Sequence, residues 1–419
     1  MNDFDLIIVG AGPGGSNAAA VALDAGLRVV QVDAARFPRV KPCAGGVTLK
    51  AAGALRHTLD PSVCRSFDGI EFNLWGQRRN RFTPRGVVLH TVCRPAFDNR
   101  LVQENLSRRN FTFMDGSRVA AVEYDGHFTV HTAAGRLTGA QLIGADGAYS
   151  IVNRTFRIAA PRAMATAVEI NIPRSGRETL PNEVPCLDYG AVRQGYGWVF
   201  PKDDHWSVGL YTLSARTPNI REQLSSYIRS KGLPDDDALD DMQAFRIPVG
   251  GFRLRTPECP VYIVGDAGGF ADALTGEGIY YALESGRLAG ETAADVAHGR
   301  CRHAAYYRRL WRTVLCDTAI SYALAKPFFR DVDRGVAVLE NPFVWRPLVE
   351  GAAQGSTLAG SLLKSAGYLV RSWAHLGASR CGGQAREPRT PESRTASGPM
   401  SPPAPSAAAA ACHRAATTA

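Results

Sequence analysis

The chain has 419 residues, of which 45% are apolar and 21% are charged, and it carries a formal net charge of +9. This length exceeds what one hydrophobic core usually holds, and the composition excludes a disordered or fibrous protein. The positive charge suits an anionic ligand or an acidic membrane surface, although an ordinary, mildly basic protein explains it equally well. No basic stripe interleaved with aromatic residues accompanies the charge, so we expect no nucleic-acid partner.

The distribution of cysteines and apolar residues indicates where the protein works. Nine cysteines are scattered without a CxxC pair, which is typical of thiols in a reducing compartment. An apolar run begins at residue 5, which leaves no room for a signal peptide, and no uninterrupted apolar run reaches the ~20 residues that span a bilayer. We therefore expect a cytoplasmic protein, with peripheral contact at a membrane as an open alternative.

The first 33 residues carry the clearest motif. A short apolar run at residues 5–9 leads directly into GAGPGG, a small-residue helix, a second apolar run and Asp33. Gly10 permits a tight turn, Gly12 lets the backbone approach a pyrophosphate, and Gly15 lets the helix pack on the strand. The helix N-terminus offers free N–H groups to phosphates, and Asp33 is placed to accept hydrogen bonds from a ribose. This order of elements predicts a dinucleotide-binding βαβ unit.

The remaining elements follow from hydrophobic periodicity and turn signals. Phe97, Leu101 and Leu106 are expected to form the apolar stripe of one helix. Helices are predicted over 49–59, 93–109, 276–295 and 301–376, strands and turns over 66–92 and 161–247, a hairpin over 119–131, and buried strands near 136–144 and 259–264.

These elements predict a discontinuous domain organisation. The dinucleotide-binding domain is expected at 1–65, 93–160 and 249–300, a β-sheet substrate domain at 66–92 and 161–248, a helical region at 301–380, and a disordered tail at 381–419.

Two further stretches repeat the pattern of the first motif, in which glycines and an aspartate follow an apolar run. GADGAYSIVNR, which contains Asp146, and YIVGDAGGFADALTGEGI, which contains Asp266 and Gly278, each place an aspartate and glycines after an apolar run. The carboxyl ends of strands are where open α/β sheets bind ligands. With these three motifs in this order, the chain resembles FAD-dependent oxidoreductases of the para-hydroxybenzoate hydroxylase-like class. The resemblance implies an α/β fold in which a Rossmann-like FAD-binding domain carries a β-sheet substrate domain and a C-terminal helical region.

The resemblance also implies roles for individual residues around FAD. Asp266 matches an aspartate that hydrogen-bonds the ribityl chain. Gly278 and Ile279 match the start of a helix that lies beside the pyrimidine end of the flavin. Arg94 matches an arginine that reaches the cofactor, and the backbone at Val119 matches a strand that touches adenine.

Two segments make the chain most similar to the geranylgeranyl reductase family within this class. KPCAGGV resembles a cysteine-glycine segment that sits against the flavin, which places Cys43 there. GYGWVFP matches a Tyr-x-Trp-x-Phe-Pro motif at Tyr196 and Trp198, whose alternation on a strand turns both rings to one side. The family motif also has a proline three residues before the tyrosine, where this chain has Arg193.

The resemblance implies hydrogenation of isolated C=C bonds in an isoprenoid or otherwise prenylated small molecule. Cys43, Tyr196 and Trp198 are the catalytic candidates, with Cys43, Tyr196 or a water as the source of the proton. No second dinucleotide motif is visible, so NADPH or ferredoxin is expected as a transient electron donor. The alternative is a flavin-dependent monooxygenase acting on an aromatic or polyketide substrate, and a third class is a flavin-binding protein without catalysis. A halogenase is disfavoured by the lack of a WxWxIP-type segment.

The end of the helical region shows one more apolar pattern. Leu358, Leu362, Ala366, Leu369 and Trp373 share one face of a predicted helix. The face suits either packing against the substrate domain or insertion into a membrane surface.

Overall fold

A computed structural model describes residues 2–83, 86–174, 183–234, 238–341, 344, 351, 355–357 and 360–361. Within them the strands are β1 (Phe4–Val9), β2 (Val29–Val32), β3 (Gly46–Thr48), β4 (Cys64–Phe67), β5 (Ile70–Leu74), β6 (Gln77–Phe82), β7 (Leu89–Val92), β8 (Phe111–Met114), β9 (Val119–Tyr124), β10 (Phe128–Thr132), β11 (Gly135–Gly144), β12 (Ala163–Pro173), β13 (Cys186–Tyr189), β14 (Gly195–Pro201), β15 (His205–Thr212), β16 (Gln243–Val249) and β17 (Val261–Ile263). The helices are α1 (Pro13–Asp24), α2 (Leu49–Ala54), α3 (Arg94–Leu106), α4 (Ile151–Phe156), α5 (Ile220–Ser230), α6 (Ile279–Ala297), α7 (Ala305–Leu310), α8 (Cys316–Arg330) and α9 (Val332–Glu340), and a π-helical turn at Trp311–Leu315 joins α7 to α8.

The first sheet has a parallel centre. Its strands run in the order β8-β2-β1-β11, and β17 pairs in parallel with β11, while the β9–β10 hairpin continues from β11 in antiparallel fashion. Leu6, Ile7 and Ile8 of β1 are fully buried at its centre. The carboxyl ends of β1, β2, β11 and β17 therefore meet at one edge, which is where the three sequence motifs follow their strands.

Helices α1 and α6 pack against each other with almost no side-chain volume between them. A methyl group at Gly286 would overlap the Gly14 carbonyl, and one at Gly290 would lie 2.6 Å from the Ala18 carbonyl oxygen. The small residues of α1 and the glycines of α6 thus permit backbone contact. This contact brings the N-terminal ends of both helices to the same edge of the first sheet.

The second sheet is mostly antiparallel and has the order β16-β12-β15-β14-β13-β5-β6. One face carries an apolar cluster that includes Tyr196, Trp198 and Tyr211. The opposite face is covered by α5, where Leu224 packs with Val168 and other residues of the strands. A small sheet of β3, β7 and β4 completes the described strands. The α/β fold class expected from the sequence is confirmed.

Several element predictions need correction. Leu106 is 45% exposed rather than on the apolar stripe of α3, because the face that begins at Phe97 and Leu101 continues at Asn105, whose amide donates to the Ser16 carbonyl. The region 161–247 contains α5 as well as strands. Helix α2 ends at residue 54 and α6 begins at residue 279, so both predicted boundaries were too generous.

The tail at 381–419 and the apolar pattern between Leu358 and Trp373 lie outside the described residues. Among the residues that the structure describes, no helix combines the length and apolar character needed to cross a membrane.

Candidate active site

The turn after β1 requires glycine where the sequence has it. Gly10 has φ +104°, and a methyl group there would overlap the Ala145 carbonyl oxygen. A methyl group at Gly15 would overlap the Gly10 carbonyl, so Gly15 serves packing. Gly12 differs, because the nearest heavy atom to a Cβ placed there is a guanidinium nitrogen of Arg39 at 3.5 Å. Its backbone is therefore free to approach a ligand.

Replacing Gly10 with alanine is expected to weaken FAD binding at least tenfold and to destabilise the fold by about 1–3 kcal/mol or more, because positive φ and steric overlap add. Gly126 is a matched control, since it has φ +97° but no atom within 4 Å of the added methyl group. Thermal unfolding of the FAD-saturated variants and titration of FAD by fluorescence measure both effects. Equal losses in the two variants would contradict the steric argument.

The N-terminus of helix α1 forms an anion-binding site at the same turn. It begins at Pro13, and its N-cap Gly12 supplies no side-chain hydrogen bond to the first turn. The N–H groups of that turn have no carbonyl partner within the helix, and the helix dipole places partial positive charge there. A pyrophosphate fits this position.

Asp33 and Val119 lie at one end of the cavity that passes over this helix terminus. The Asp33 carboxylate accepts hydrogen bonds from Ala11 N–H and Ala35 N–H, both at 2.8 Å, which ties the end of β2 to the glycine turn. Since a carboxylate has about four acceptor positions, capacity for a ribose hydroxyl is left. We propose this end for adenosine.

Arg94 is buried at the first turn of α3 and is held by a residue that sequence reasoning missed. Its Nε and a terminal nitrogen donate to the two oxygens of Asp98 at 2.9 and 2.7 Å, and Arg39 approaches the same carboxylate at 3.2 Å. Burial opposes the guanidinium charge, but Asp98 and Cys43 together raise the pKa of Arg94 far above its usual value. The sequence signal was the i,i+4 spacing of Arg94 and Asp98.

Asp266, Gly278 and Ile279 form the opposite end of the cavity. Asp266 follows β17, and burial raises the pKa of its carboxyl group against the lowering effect of Lys41 and Arg94. Gly278 is the N-cap of α6, has no side-chain cap, and lies beside the Asp266 carboxylate. A second uncapped helix N-terminus thus faces the cavity here. It is suited to stabilise negative charge on a ring system.

These two groups of residues line one cavity of about 440 Å³. The predicted residues that line it are Gly10, Gly12, Asp33, Cys43, Arg94, Val119, Asp266, Gly278 and Ile279. The residues present fit FAD, because the cavity offers a helix terminus at its middle, an acceptor at each end and no side chain on Gly12 to block the backbone. Gly15, Tyr196 and Trp198 do not line this cavity.

Cys43 lies in a charged environment that the sequence did not reveal. Its backbone N–H donates to Glu169 Oε1 at 2.7 Å, and its sulfur accepts from Gly45 N–H at 3.3 Å. Lys202 donates to the carbonyl oxygens of Ala44 at 2.6 Å and Val92 at 2.9 Å. Glu169 and Lys202 are both nearly buried, with 5% and 3% exposure. They are functional candidates missed by sequence reasoning, because only pairing across the second sheet brings them to the Cys43 loop.

The pKa values of these two buried groups move in opposite directions. Burial raises the pKa of Glu169 to about 6, although Cys43 N–H, Lys202 and other cations oppose this change. Burial lowers the pKa of Lys202 to about 8, although Cys43, Cys93 and Glu169 oppose it. Both groups are therefore mainly charged at neutral pH.

The aromatic residues of β14 form a wall behind the end of the cavity at Gly276 and Gly278. Tyr196 and Trp198 lie on the same face of the second sheet with ring centroids 6.4 Å apart, as the alternation predicted. Tyr211 stacks on Tyr196 at 5.1 Å. The Tyr196 hydroxyl donates to the Thr275 carbonyl, and it also lies against Gly276, which lines the cavity.

A second, apolar groove of about 1,150 Å³ lies on the other side of the loop at residues 274–276. Leu274 lines this groove, whereas Gly276 lines the first cavity. Phe328, Val332 and Val338 form its helical wall, and Arg193 lies at its edge. The groove and the first cavity are therefore neighbours across one short loop.

Comparison with known proteins gives relatives along most of the chain, although no family model matches it. An uncharacterized protein of Methanosarcina barkeri is 32% identical over 366 residues, covering 87% of this chain and 94% of the relative. Menaquinone reductase of Mycobacterium tuberculosis is 31% identical over 347 residues, covering 75% and 80%. Digeranylgeranylglycerophospholipid reductase of Methanosphaerula palustris is 27% identical over 394 residues, covering 81% and 90%.

Solved structures share the fold. A geranylgeranyl bacteriochlorophyll reductase-like protein from Thermoplasma acidophilum superposes with a TM-score of 0.68 at 17% identity, covering 86% of this chain and 95% of that one. The flavin-dependent brominase Bmp2 gives a TM-score of 0.69 at 16% identity, covering 89% and 99%. Fold, cavity and relatives together define an FAD-dependent oxidoreductase. Within that class, the chain belongs to the geranylgeranyl reductase family.

Proposed function

We propose that the protein hydrogenates C=C bonds of a geranylgeranyl or other polyprenyl group in isoprenoid or lipid biosynthesis. The observation that carries this proposal is the apolar groove that Leu274 lines, since Gly276 of the same short loop lines the proposed cofactor cavity. A volume of about 1,150 Å³ exceeds the usual range of about 300–1,000 Å³ for small-molecule pockets. This size suits a long, flexible hydrocarbon better than a single aromatic ring.

The names of the relatives support a substrate that the enzyme recognises by its polyprenyl chain. Menaquinone reductase and digeranylgeranylglycerophospholipid reductase are named for substrates with unlike head groups. Both substrates carry polyprenyl chains. The edge of the groove contains three exposed arginines as well as Asp331 and Asp333, and Arg334 forms an ion pair with Asp331. Arg193 and Arg330 suit an anionic head group.

Bound FAD in its reduced form would supply the hydride, and the residues of the chain would direct it. Arg94, Asp266 and the N-terminus of α6 would hold the flavin end of the cofactor. Tyr196 and Trp198 would act from behind the loop at Gly276, where their aromatic rings would ease the positive character that develops when a carbon is protonated.

Cys43 is the proton donor that the contacts favour. The Tyr196 hydroxyl already donates to the Thr275 carbonyl, and burial raises the pKa of Tyr196 well above its usual value. Both effects make that hydroxyl a poor proton donor. Cys43 instead lines the cavity. Arg94 and Lys202 lie near it and would stabilise the thiolate that remains after proton transfer.

Electrons would reach the flavin from NADPH or ferredoxin in a transient encounter. The net charge of +9 suits an acidic protein donor, an anionic nucleotide and contact with an anionic membrane surface alike. We propose that the enzyme works in the cytoplasm or at the membrane surface, where a lipid substrate is accessible.

An anaerobic assay tests the reaction. Chemically reduced enzyme is mixed with geranylgeranyl diphosphate, menaquinone or digeranylgeranylglycerophospholipid, and the products are weighed by mass spectrometry. We expect products heavier by pairs of hydrogens from at least one substrate. Oxygen-dependent consumption of NADPH with an oxygenated product would instead establish the monooxygenase alternative.

The same assay tests whether the groove binds the prenyl chain. Val338 lines the groove and is 59% exposed, so Val338→Asp adds a charge there at little cost to folding. We expect this variant to raise KM about tenfold for the best prenyl substrate, because a carboxylate disfavours hydrocarbon binding. Val40→Asp, at a position 71% exposed and outside the groove lining, is the control. An unchanged KM in Val338→Asp would show that the prenyl chain does not bind in this groove.

A further inference from the structure

Glu169 is a buried acidic residue at the edge of an apolar cluster on one face of the second sheet. It lies on β12 two residues from Ala167, which belongs to the same cluster as Tyr196 and Trp198. In the sheet Glu169 pairs with Gly209, and Gly209 pairs with Trp198. A methyl group at Gly209 would overlap the Trp198 indole, so this ring lies over the glycine on the side where Glu169 points. The carboxylate, the indole and the Cys43 loop thus meet at one place.

Only one oxygen of the Glu169 carboxylate has a hydrogen-bond partner among the described residues. Oε1 accepts from Cys43 N–H, whereas Oε2 is buried and has no hydrogen-bond partner among the described residues. A buried, incompletely satisfied carboxylate costs stability. Since an uncharged acceptor would serve the single hydrogen bond equally well, the negative charge itself calls for an explanation.

The charges that surround Cys43 supply that explanation. Lys41 comes from the same loop, Arg94 from α3 and Lys202 from the end of β14, and Glu169 is the anion that contacts the loop directly. Asp98 is engaged by Arg94 and Arg39, so its charge is largely compensated. Asp266 is a further carboxylate that faces Lys41 and Arg94. Glu169 adds a negative charge directly at the Cys43 loop, where it offsets the positive charge of Lys202 and Arg94, and only the thiol form of a cysteine can donate a proton.

We propose that Glu169 is a positioning residue for alkene reduction, whose negative charge keeps the Cys43 thiol protonated against Lys202 and Arg94 until hydride arrives. This inference rests on the proposed function. In the step, the S–H bond of Cys43 would break and its proton would form a C–H bond at one alkene carbon, and reduced FAD, when bound, would supply the hydride for the C–H bond at the other. Sulfur keeps its electron pair as thiolate beside Arg94, and a solvent proton restores the thiol.

The S–H stretching band of Cys43 tests the charge effect without any substrate. It is isolated in FAD-bound protein as the infrared difference between wild type and Cys43→Ala. Glu169→Gln keeps an acceptor for Cys43 N–H but removes the charge, so the pH at which the band disappears should fall by about one unit, or tenfold in proton concentration. Lys202→Met should raise that pH. Glu104→Gln, the same chemical change on α3, should leave it unchanged.

Alkene reduction by the prereduced enzyme supplies the second measurement. In Glu169→Gln the rate should begin to fall at a pH about one unit below that of the wild type, and Glu169→Asp should restore part of this shift. A loss of rate without a shift of the pH profile or of the S–H band would make Glu169 merely structural and overturn the inference. If the wild type reduces no prenyl alkene, the proposed function fails, whereas the infrared result still decides what Glu169 does to Cys43. Unchanged FAD absorbance and melting temperature confirm that each variant is folded.

Discussion

Replacing Asp98 with alanine should lower the free energy of unfolding by about 3–5 kcal/mol, because it leaves a buried positive charge without its partner. Asp98 is fully buried and accepts two hydrogen bonds from Arg94, with Arg39 at 3.2 Å. The affinity for FAD should fall in parallel, since Arg94 lines the cavity. Chemical denaturation of the FAD-saturated protein and FAD titration measure the two losses.

Asp5→Ala is the matched control for this ion pair. Asp5 bonds Arg28 with similar geometry, at 2.8 Å, but the two side chains are 36% and 52% exposed. We expect its loss to cost at most about 1 kcal/mol. A double variant, Arg94→Met with Asp98→Leu, should regain part of the stability because neither charge of this pair stays buried, although Arg39 also loses its contact with Asp98, and it should still bind FAD weakly. Recovery of FAD affinity in the double variant would show that Arg94 does not hold the cofactor.

Replacing Cys43 with alanine should lower kcat for alkene reduction about 100-fold or more, the usual contribution of a positioned proton donor. Reduction of the flavin by the electron donor should proceed at the wild-type rate, because that step takes no proton from the thiol. Stopped-flow measurement of the two half-reactions separates these effects. The distinction matters because a change in FAD binding alone would slow both half-reactions.

Two variants sharpen this prediction. Cys64→Ala removes another half-buried thiol, on β4 and outside the cavity lining, and should retain full activity. Tyr196→Phe removes the competing hydroxyl but keeps the ring. If alkene reduction fails in Tyr196→Phe and survives in Cys43→Ala, the proton comes from the tyrosine and the role we propose for Cys43 is wrong.

Much of the cofactor cavity could be predicted from the sequence, because local rules govern it. Gly10 and Gly12 are required by the backbone of a tight turn, and Asp33 and Asp266 follow apolar runs whose carboxyl ends meet in a parallel sheet. Nine predicted residues line the same cavity as a result. The resemblance to a family added Arg94, Val119 and Cys43, which periodicity alone does not single out.

The failures of sequence reasoning have equally specific causes. Leu106 was assigned to the buried stripe of α3 because it is apolar, whereas the structure buries the polar Asn105 and satisfies its amide with the Ser16 carbonyl. Asp98 was overlooked because an i,i+4 ion pair on a helix is usually a surface feature. Its burial follows from the approach of Arg39, a residue 59 positions earlier in the chain.

The sequence by itself indicated the cofactor class and most of the residues that line one cavity, since glycine turns, helix termini and strand ends act over a few residues. Only the tertiary structure decided what surrounds Cys43. Glu169 and Lys202 stand 126 and 159 residues away from it along the chain, and no local pattern links them. They reach the thiol because β12 and β14 both pair with β15 and carry their buried charges to the loop that follows the first dinucleotide-binding unit.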